Sequence, residues 1–144
     1  MSGFANLAMA VVSGIAITLQ GQFMGLMDKA FGTRESVFLT YGSGGLIAAV
    51  IMIVGGWGHL RGWSRVPWYA YSAGFLGLII VGTIGYVVPR MGAARSFTLI
   101  VGAQLLLAAV IDQAGLFGAS VRPFEVSKAL GLIVMLFGVW LVVR

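Results

Sequence analysis

Cysteine is absent from this 144-residue chain, and charged residues are scarce, with nine Lys and Arg, four Asp and Glu and one histidine. The missing thiols exclude disulfide bonds, thiolate catalysis and cysteine-ligated metal sites, although they do not fix a cellular compartment. The sequence also lacks a Ser-His-Asp set, a metal-ligand spacing, a Walker loop and a dinucleotide-binding fingerprint. It therefore predicts neither an enzyme nor a bound cofactor or metal ion.

Apolar residues dominate the composition instead. They make up 60% of the chain against 9% charged residues, and the mean hydropathy is +1.02. A soluble domain of this size cannot carry that much apolar surface in water. Three uncharged stretches, 2–27, 36–58 and 66–88, are each long enough to cross about 30 Å of hydrocarbon as a helix.

Two shorter stretches, 96–111 and 129–143, complete the set. They reach a spanning length when the first is extended to 117 and the second back to 126. Asp112 and Lys128 then lie near helix ends, where their charges reach the interface.

The sequence therefore predicts an all-α integral membrane protein with a single transmembrane domain over 1–144. The five predicted transmembrane helices cover about 3–27, 36–58, 67–88, 95–117 and 125–143. Only short connectors remain, around 28–35, 59–65, 89–95 and 118–125, so no soluble domain is expected. The first span has no basic residue before it and is too long for a cleaved signal segment, so it is expected to stay as the first helix.

The basic residues are divided almost evenly between the two sides of the predicted membrane. Arg61, Arg65, Arg122 and Lys128 fall on one side, and Lys29, Arg34, Arg90, Arg95 and Arg144 on the other. Because an excess of Lys and Arg in cytoplasmic loops sets orientation, four charges against five favour insertion in both orientations. The alternative is that Asp28 and Glu35, or other details of insertion, select one orientation. Basic residues scattered at membrane edges are typical of bilayer anchors and do not indicate nucleic acid.

Five helices form one bundle, whereas a solute path needs two bundles that move around a site near the middle of the membrane. Two tandem copies of a chain with an odd number of spans would be inverted relative to each other. A homodimer of opposite orientations reaches the same architecture without fusion. We therefore expect the chain to be half of an inverted-repeat transporter that works as an antiparallel homodimer.

Glycine is abundant, with 22 residues, many of them inside the predicted spans. In lipid, small residues at three-, four- and seven-residue spacing let helix backbones approach closely. The glycines predicted to serve helix packing are Gly21, Gly25, Gly42, Gly44 and Gly45.

Polar side chains inside the spans are the candidates for a solute site, because a polar group in hydrocarbon needs a partner or a wet cavity. The residues predicted to line a substrate cavity are Gln20, Gln22, Tyr41, Ser43 and Gln104. For Gln20, Gln22, Tyr41 and Gln104 the alternative role is an interhelical hydrogen bond worth about 0.6–2 kcal/mol, and this alternative is favoured for Gln22 and Tyr41.

Apart from Glu125 at the first position of the last span, Asp112 is the one acid within a predicted span, and it shares a helix ridge with Gln104 and Ala108 at four-residue steps. It is the candidate for proton coupling. Its position near the end of the span favours a structural role instead, with Arg122 or Gln113 as the partner.

Several segments of the chain together carry a family resemblance. They are "LQGQFMG", "PWYAYSAGFLG", "VVPRMGAA", "GAQLLLAAVIDQAGLFG" and "RPFEVSKALGLIVMLFGVWLVV". These segments resemble the YdcZ-like proteins, the half-size, five-helix bacterial branch of the drug/metabolite transporter superfamily. The resemblance covers nearly the whole chain and is most specific from Gln104 to Gly118. It implies a transporter half that pairs in antiparallel fashion, with Gln20, Gln104 and Asp112 as family positions.

The expected function is export of a small solute across the bacterial inner membrane by alternating access. A neutral or zwitterionic solute fits the Gln, Tyr and Ser candidates better than a cation exchanged for protons. The expected partners are membrane lipid, an inverted second copy and a small solute that the sequence does not identify. The alternatives are an accessory or structural membrane subunit without a transport path, and a passive channel. A water-accessible cavity at Gln20 and Gln104 would favour transport or conduction.

Overall fold

The computed structural model describes residues 3–56, 64–122 and 125–144. These described residues form five α-helices: α1 (Gly3–Phe31), α2 (Thr33–Val54), α3 (Ala73–Met91), α4 (Ala93–Ala114) and α5 (Val126–Val143). Within the same residues, five helical segments are long and apolar enough to cross a membrane, and the third of them is counted from Trp68. The predicted all-α fold with five membrane-spanning helices is confirmed.

The chain divides into two compact units, Met1–Arg90 and Met91–Arg144. We call them the N-terminal unit and the C-terminal unit. In the N-terminal unit α1 packs against α2, and in the C-terminal unit α4 packs against α5.

Single glycine residues connect α1 to α2 and α3 to α4. Gly32 has a φ of 101° and Gly92 a φ of 83°, a region that residues with a side chain rarely adopt. Four positions after each glycine lies a buried serine, Ser36 or Ser96, whose backbone N–H donates to the glycine carbonyl at 3.1 Å. Each of these two junctions therefore contains only one non-helical residue.

Helix continues through most of the predicted connectors 28–35 and 89–95, which differs from the sequence-based boundaries. The charges in these segments are carried on the last turn of one helix and the first turn of the next. The Gly32 N–H donates to the Asp28 carbonyl at 3.0 Å, and the Ser36 and Ser96 N–H groups donate to the glycine carbonyls at 3.1 Å, so backbone hydrogen bonds continue at these junctions and a longer polar loop is not required. The predicted end of the second span at 58 lies outside the described residues.

The third and fourth helices also differ from their predicted limits. A 3₁₀ helix occupies Trp68–Ser72, so α3 begins at Ala73 rather than at 67. The fourth helix ends at Ala114 rather than at 117, because Gly115 adopts a left-handed conformation with a φ of 61° and donates its N–H to the Ile111 carbonyl.

The core of the N-terminal unit is small. Met24, Ile84 and Val88 are its buried hydrophobic residues among those described, and most other large apolar side chains are exposed. Gly85 makes room for Met24, because a Cβ added at Gly85 would lie 3.0 Å from the Met24 Cε atom. The buried Ser36 hydroxyl donates to the Met24 carbonyl at 3.2 Å. An exterior this apolar is suited to lipid and not to water.

A buried carboxylate connects helix ends within the N-terminal unit. The Asp28 side chain, on α1, is only 4% exposed and accepts hydrogen bonds from the Thr33 hydroxyl and from Nη1 of Arg90 at 2.9 Å. The half-exposed Arg90 guanidinium also donates to the Tyr86 carbonyl at 2.6 Å and lies 3.7 Å from the Tyr86 ring centroid. The 29 residues of α1 rise about 43 Å, more than the hydrocarbon thickness, so this cluster lies near a membrane interface.

The two helices of the C-terminal unit run antiparallel. Gly102 of α4 faces Val139 of α5, with 3.2 Å between the position of an added Cβ and the Val139 Cγ2 atom. Further along both helices Asp112 pairs with Lys128. Glycine at the first contact allows the two backbones to approach closely, as is common between helices in lipid.

We expect the loss of Arg90 to destabilise the protein more than the neutralisation of Asp28. Arg90→Met leaves a buried carboxylate without its cation, which costs about 3–5 kcal/mol. Asp28→Asn leaves a half-exposed guanidinium that reaches water, so the expected cost is about 1–2 kcal/mol. Thermal unfolding in mild detergent measures both. The exposed cation in the control Arg34→Met should change stability by about 0.5 kcal/mol or less. Equal losses in Arg90→Met and Asp28→Asn would show that the buried carboxylate does not depend on its cation.

Candidate functional site

A groove of about 410 Å³ opens on the surface of the N-terminal unit, where α1, α2 and α3 meet. We call it the N-terminal groove. Its lining residues are Gln20, Thr40, Tyr41, Gly44, Gly45, Ala48 and Val81. The structure thus brings together two predicted cavity residues, Gln20 and Tyr41, and two predicted packing residues, Gly44 and Gly45.

The polar part of this groove lies near the middle of its helices. Gln20 is about 5 Å along the helix axis from the centre of α1, and Thr40 is about 5 Å from the centre of α2. Tyr41 follows Thr40 directly. Three polar side chains from two helices therefore occur at a depth that hydrocarbon occupies in a bilayer.

The Thr40 hydroxyl makes no hydrogen bond to the backbone of its own helix. Its buried Oγ1 atom has no hydrogen-bond partner among the described residues. By contrast, the hydroxyls of Ser13, Thr18 and Ser43 each donate to the carbonyl four residues earlier in the same helix, at 2.9, 3.0 and 2.7 Å. Such bonds satisfy a hydroxyl in lipid without any partner helix. A buried hydroxyl left unpaired costs about 1–3 kcal/mol.

The two other polar groups of the groove are also unpaired within the described residues. Neither the Gln20 amide nor the Tyr41 hydroxyl makes a hydrogen bond there. Gly77 of α3 lets the Tyr41 hydroxyl approach the helix backbone, because a Cβ added at Gly77 would collide with that oxygen. At Gly44 and Gly45 an added Cβ would meet nothing within 4 Å, so this wall of the groove is open.

The remaining polar candidates lie apart from this groove. Gln22 is exposed on α1, and its position two residues after Gln20 turns it to roughly the opposite face. Ser43 is exposed and bonded to its own helix. Gln104 is exposed at the middle of α4 in the C-terminal unit. Their predicted role in lining a cavity stays a prediction.

The other glycines predicted to serve packing fall into two groups. Gly21 and Gly25 are buried, and a Cβ added at Gly25 would lie 3.4 Å from the Pro89 ring, an ordinary contact. Gly42 is exposed, with nothing within 4 Å of an added Cβ. An exposed glycine in α2 has no neighbour inside its unit, so a packing role there requires a contact from outside the N-terminal unit.

Asp112 is paired with Lys128, not with Arg122 or Gln113. Its Oδ2 atom lies 3.6 Å from the Lys128 Nζ atom, and both side chains are about 40% exposed. The Arg122 backbone N–H donates to the Asp112 carbonyl at 2.9 Å and holds the following segment against the end of α4. This arrangement agrees with a structural role for Asp112, which stays a prediction.

Thr40 was missed as a site residue, although the sequence carries a signal for it. Thr40, Gly44 and Ala48 follow each other at four-residue steps, and Tyr41 and Gly45 form a parallel row. Residues four apart share a helix face. Two adjacent rows of small and polar residues on one span therefore predict a groove on that face.

Replacing Thr40 by valine is expected to stabilise the protein by about 1 kcal/mol, because it removes a buried polar group that has no partner. Thermal unfolding in detergent measures this change. Thr18→Val, which removes a hydroxyl already bonded to its own helix, is the matched control and should alter stability by about 0.5 kcal/mol or less. A clear loss of stability in Thr40→Val would mean that the hydroxyl has a partner within the protein.

Comparison with protein families gives one result that covers nearly the whole chain. The family model described as "Putative inner membrane exporter, YdcZ" matches residues 5–141. Comparison with curated proteins and with solved structures finds no match. That description names an inner-membrane exporter and not an enzyme, and with the five spanning helices of the described residues it confirms a multi-pass protein of the inner membrane. The chain therefore belongs to the YdcZ family, as the resemblance of its segments to YdcZ-like proteins predicts.

Proposed function

We propose that the protein exports a small neutral or zwitterionic solute by alternating access, and that the N-terminal groove is its solute site. The observation that carries this proposal is the meeting of three unpaired polar groups, from Gln20, Thr40 and Tyr41, in one groove at mid-membrane depth. An unsatisfied polar group in hydrocarbon costs several kcal/mol. A polar solute, or water when the solute is absent, lowers that cost for the accessible Gln20 and Tyr41 side chains by filling the groove.

The lining of the groove favours recognition by neutral hydrogen bonds. None of its described lining residues is charged. The Gln20 amide and the hydroxyls of Thr40 and Tyr41 can each donate and accept. Ala48 and Val81 add apolar contact beside them. The volume of about 410 Å³ lies within the range of pockets that hold small metabolites and drug-like molecules.

The second element of the proposal is an inverted homodimer in which residues 1–144 of each copy act as one transmembrane domain. Gln22 and Gln104 are exposed within spans and need polar partners there, and Gly42 offers a close-approach surface that its own unit leaves open. The near-equal charge of the two sides allows both orientations. A second, inverted copy would supply the other bundle that alternating access requires.

Two other functions remain as alternatives, an accessory membrane subunit and a passive channel. In a subunit that serves only packing, an open groove and an unpaired buried hydroxyl at Thr40 would lower stability without contributing to function. The groove therefore favours solute binding. A carrier differs from a channel in counterflow, because only a carrier exchanges labelled solute outside for unlabelled solute trapped inside vesicles.

Gln20→Leu is expected to abolish solute binding and transport while the dimer remains assembled. A thermal-shift screen of neutral and zwitterionic metabolites on the purified protein identifies a ligand, and counterflow of that ligand in proteoliposomes measures transport. The expected loss is tenfold or more, about the effect of removing one good hydrogen bond to a solute. Thr40→Val should lose activity without losing stability.

The matched control is Gln22→Leu, which removes the same side chain two positions away and outside the groove, and it should retain binding. Gln104→Leu tests whether the C-terminal unit contributes to the site, and loss of transport is expected there too. If Gln20→Leu and Gln22→Leu have equal activity, the N-terminal groove is not the solute site.

Wild-type protein is expected to place its C-terminus on both sides of the membrane, since its basic residues are nearly balanced. A periplasm-active and a cytoplasm-active reporter fused to the C-terminus measure this distribution. Lysines at exposed Ala30 and Ala94 should fix the C-terminus in the cytoplasm, and lysines at exposed Ser64, Gln113 and Ser120 should fix it in the periplasm. A single orientation in the wild type would contradict dual insertion.

A further inference from the structure

The ion pair of the C-terminal unit joins the end of α4 to the start of α5. Each of its two charges has the same sign as the partial charge of the helix end that carries it. Asp112 lies in the last turn of α4, and Lys128 lies in the first turn of α5. A helix carries partial negative charge at its C-terminus and partial positive charge at its N-terminus. Acids are therefore favoured near the N-terminus and bases near the C-terminus, which is the reverse of the positions of Asp112 and Lys128. A negative point and a positive point therefore lie side by side at one end of the helix pair.

The two side chains are only loosely paired. The distance of 3.6 Å between Lys128 Nζ and Asp112 Oδ2 exceeds that of a charge-assisted hydrogen bond, which is about 2.7–2.9 Å. Neither side chain makes a further hydrogen bond within the described residues, and each is about 40% exposed. Both charges therefore keep hydrogen-bonding capacity for a ligand.

An apolar groove of about 340 Å³ begins at this ion pair and runs between α4 and α5. We call it the C-terminal groove. Leu105, Leu132 and Met135 form most of its apolar wall, and Gly131, where an added Cβ would meet nothing within 4 Å, keeps it open. From Asp112 to Leu105 the helix rises about 10 Å. The groove therefore extends from the membrane interface well into the depth of the hydrocarbon.

The charges around the mouth of the C-terminal groove balance. Besides Asp112 and Lys128, the adjoining segments carry one acid, Glu125 at the start of α5, and one base, Arg122, whose backbone N–H bonds to the end of α4. A ligand with a net charge would leave one sign uncompensated. The complementary ligand carries both signs and an apolar tail.

We propose that the C-terminal groove binds a membrane phospholipid whose zwitterionic headgroup carries a primary ammonium. The phosphate faces Lys128 and the positive end of α5, the ammonium faces Asp112 and the negative end of α4, and one acyl chain lies along Leu105 and Met135. A lipid fits better than a transported solute, because the groove opens along its length to the exposed surface of the spans and its charges lie at the interface. Such a lipid joins the two helices by contacts that neither helix makes alone.

Native mass spectrometry of the purified protein, titrated with one lipid at a time, tests this site. The probes are dioleoyl phosphatidylethanolamine, the phosphatidylcholine with the same chains, whose ammonium has no N–H donor, and the anionic phosphatidylglycerol. We expect phosphatidylethanolamine to be retained about tenfold more tightly than phosphatidylglycerol, with phosphatidylcholine between them. Equal retention of all three lipids would overturn the proposal.

Variants separate a lipid site from a structural ion pair. Lys128→Gln and Asp112→Asn should each lower retention of phosphatidylethanolamine at least fivefold. The double exchange of Asp112→Lys with Lys128→Asp keeps the ion pair but reverses its direction relative to the helix ends, so it should also lose retention while thermal stability is kept. Wild-type retention in this exchanged protein would overturn the proposal.

Groove filling supplies a test that leaves every charge in place. Gly131→Leu should block the acyl chain and lower retention about as much as Lys128→Gln. The matched control is Gly138→Leu, seven residues along the same helix and outside the C-terminal groove, with nothing within 4 Å of an added Cβ. It should retain the lipid, and an equal loss in Gly131→Leu and Gly138→Leu would mean that the effect is general destabilisation and would reject the site.

Discussion

Hydrocarbon offers no hydrogen-bond partners, so each polar side chain within a span needs a partner in the protein, in water or in a bound molecule. The polar residues of the chain differ in how this requirement is met. Ser13, Thr18 and Ser43 bond to the carbonyl one turn earlier and so can face lipid. Thr40 and Gln20 are not satisfied in this way, and both line the same groove. The same physical rule therefore separates hydroxyls that need nothing further from side chains that need water, a solute or another molecule.

The two ion pairs among the described residues show how differently a charge can be used near a membrane face. The Asp28 carboxylate is buried, lies 2.9 Å from its cation and also accepts from a hydroxyl, so each of its two oxygens has a hydrogen-bond partner. The Asp112 carboxylate is half-exposed and lies 3.6 Å from Lys128. The first arrangement stabilises the N-terminal unit, whereas the second keeps donors and acceptors available beside an apolar groove.

Sequence patterns predict the spans and the family well, because apolar length, charge and short segments are local properties. Gln20 and Tyr41 can be named because a polar residue in an apolar run is conspicuous. The row of Thr40, Gly44 and Ala48 marks one face of α2, but only the structure shows that the Thr40 hydroxyl, unlike that of Thr18, makes no bond to its own helix. The pairing of Asp112 with Lys128 depends on the antiparallel packing of α4 and α5, which no spacing encodes. The ends of α1 and α2 around Gly32 differ from the predicted spans, because the charged residues there lie on helical turns and not in a loop.

The ion pair in the Asp28 cluster constrains which substitutions the protein can accept during evolution. Asp28 and Arg90 are 62 positions apart in the chain, yet chemically they form one unit. A descendant that loses the arginine alone carries a buried charge without its counter-ion, whereas one that loses both residues carries none. We therefore expect substitutions at the two positions to occur together among relatives. Thr33, whose contribution is a single neutral hydroxyl, should drift among residues that can still donate a hydrogen bond.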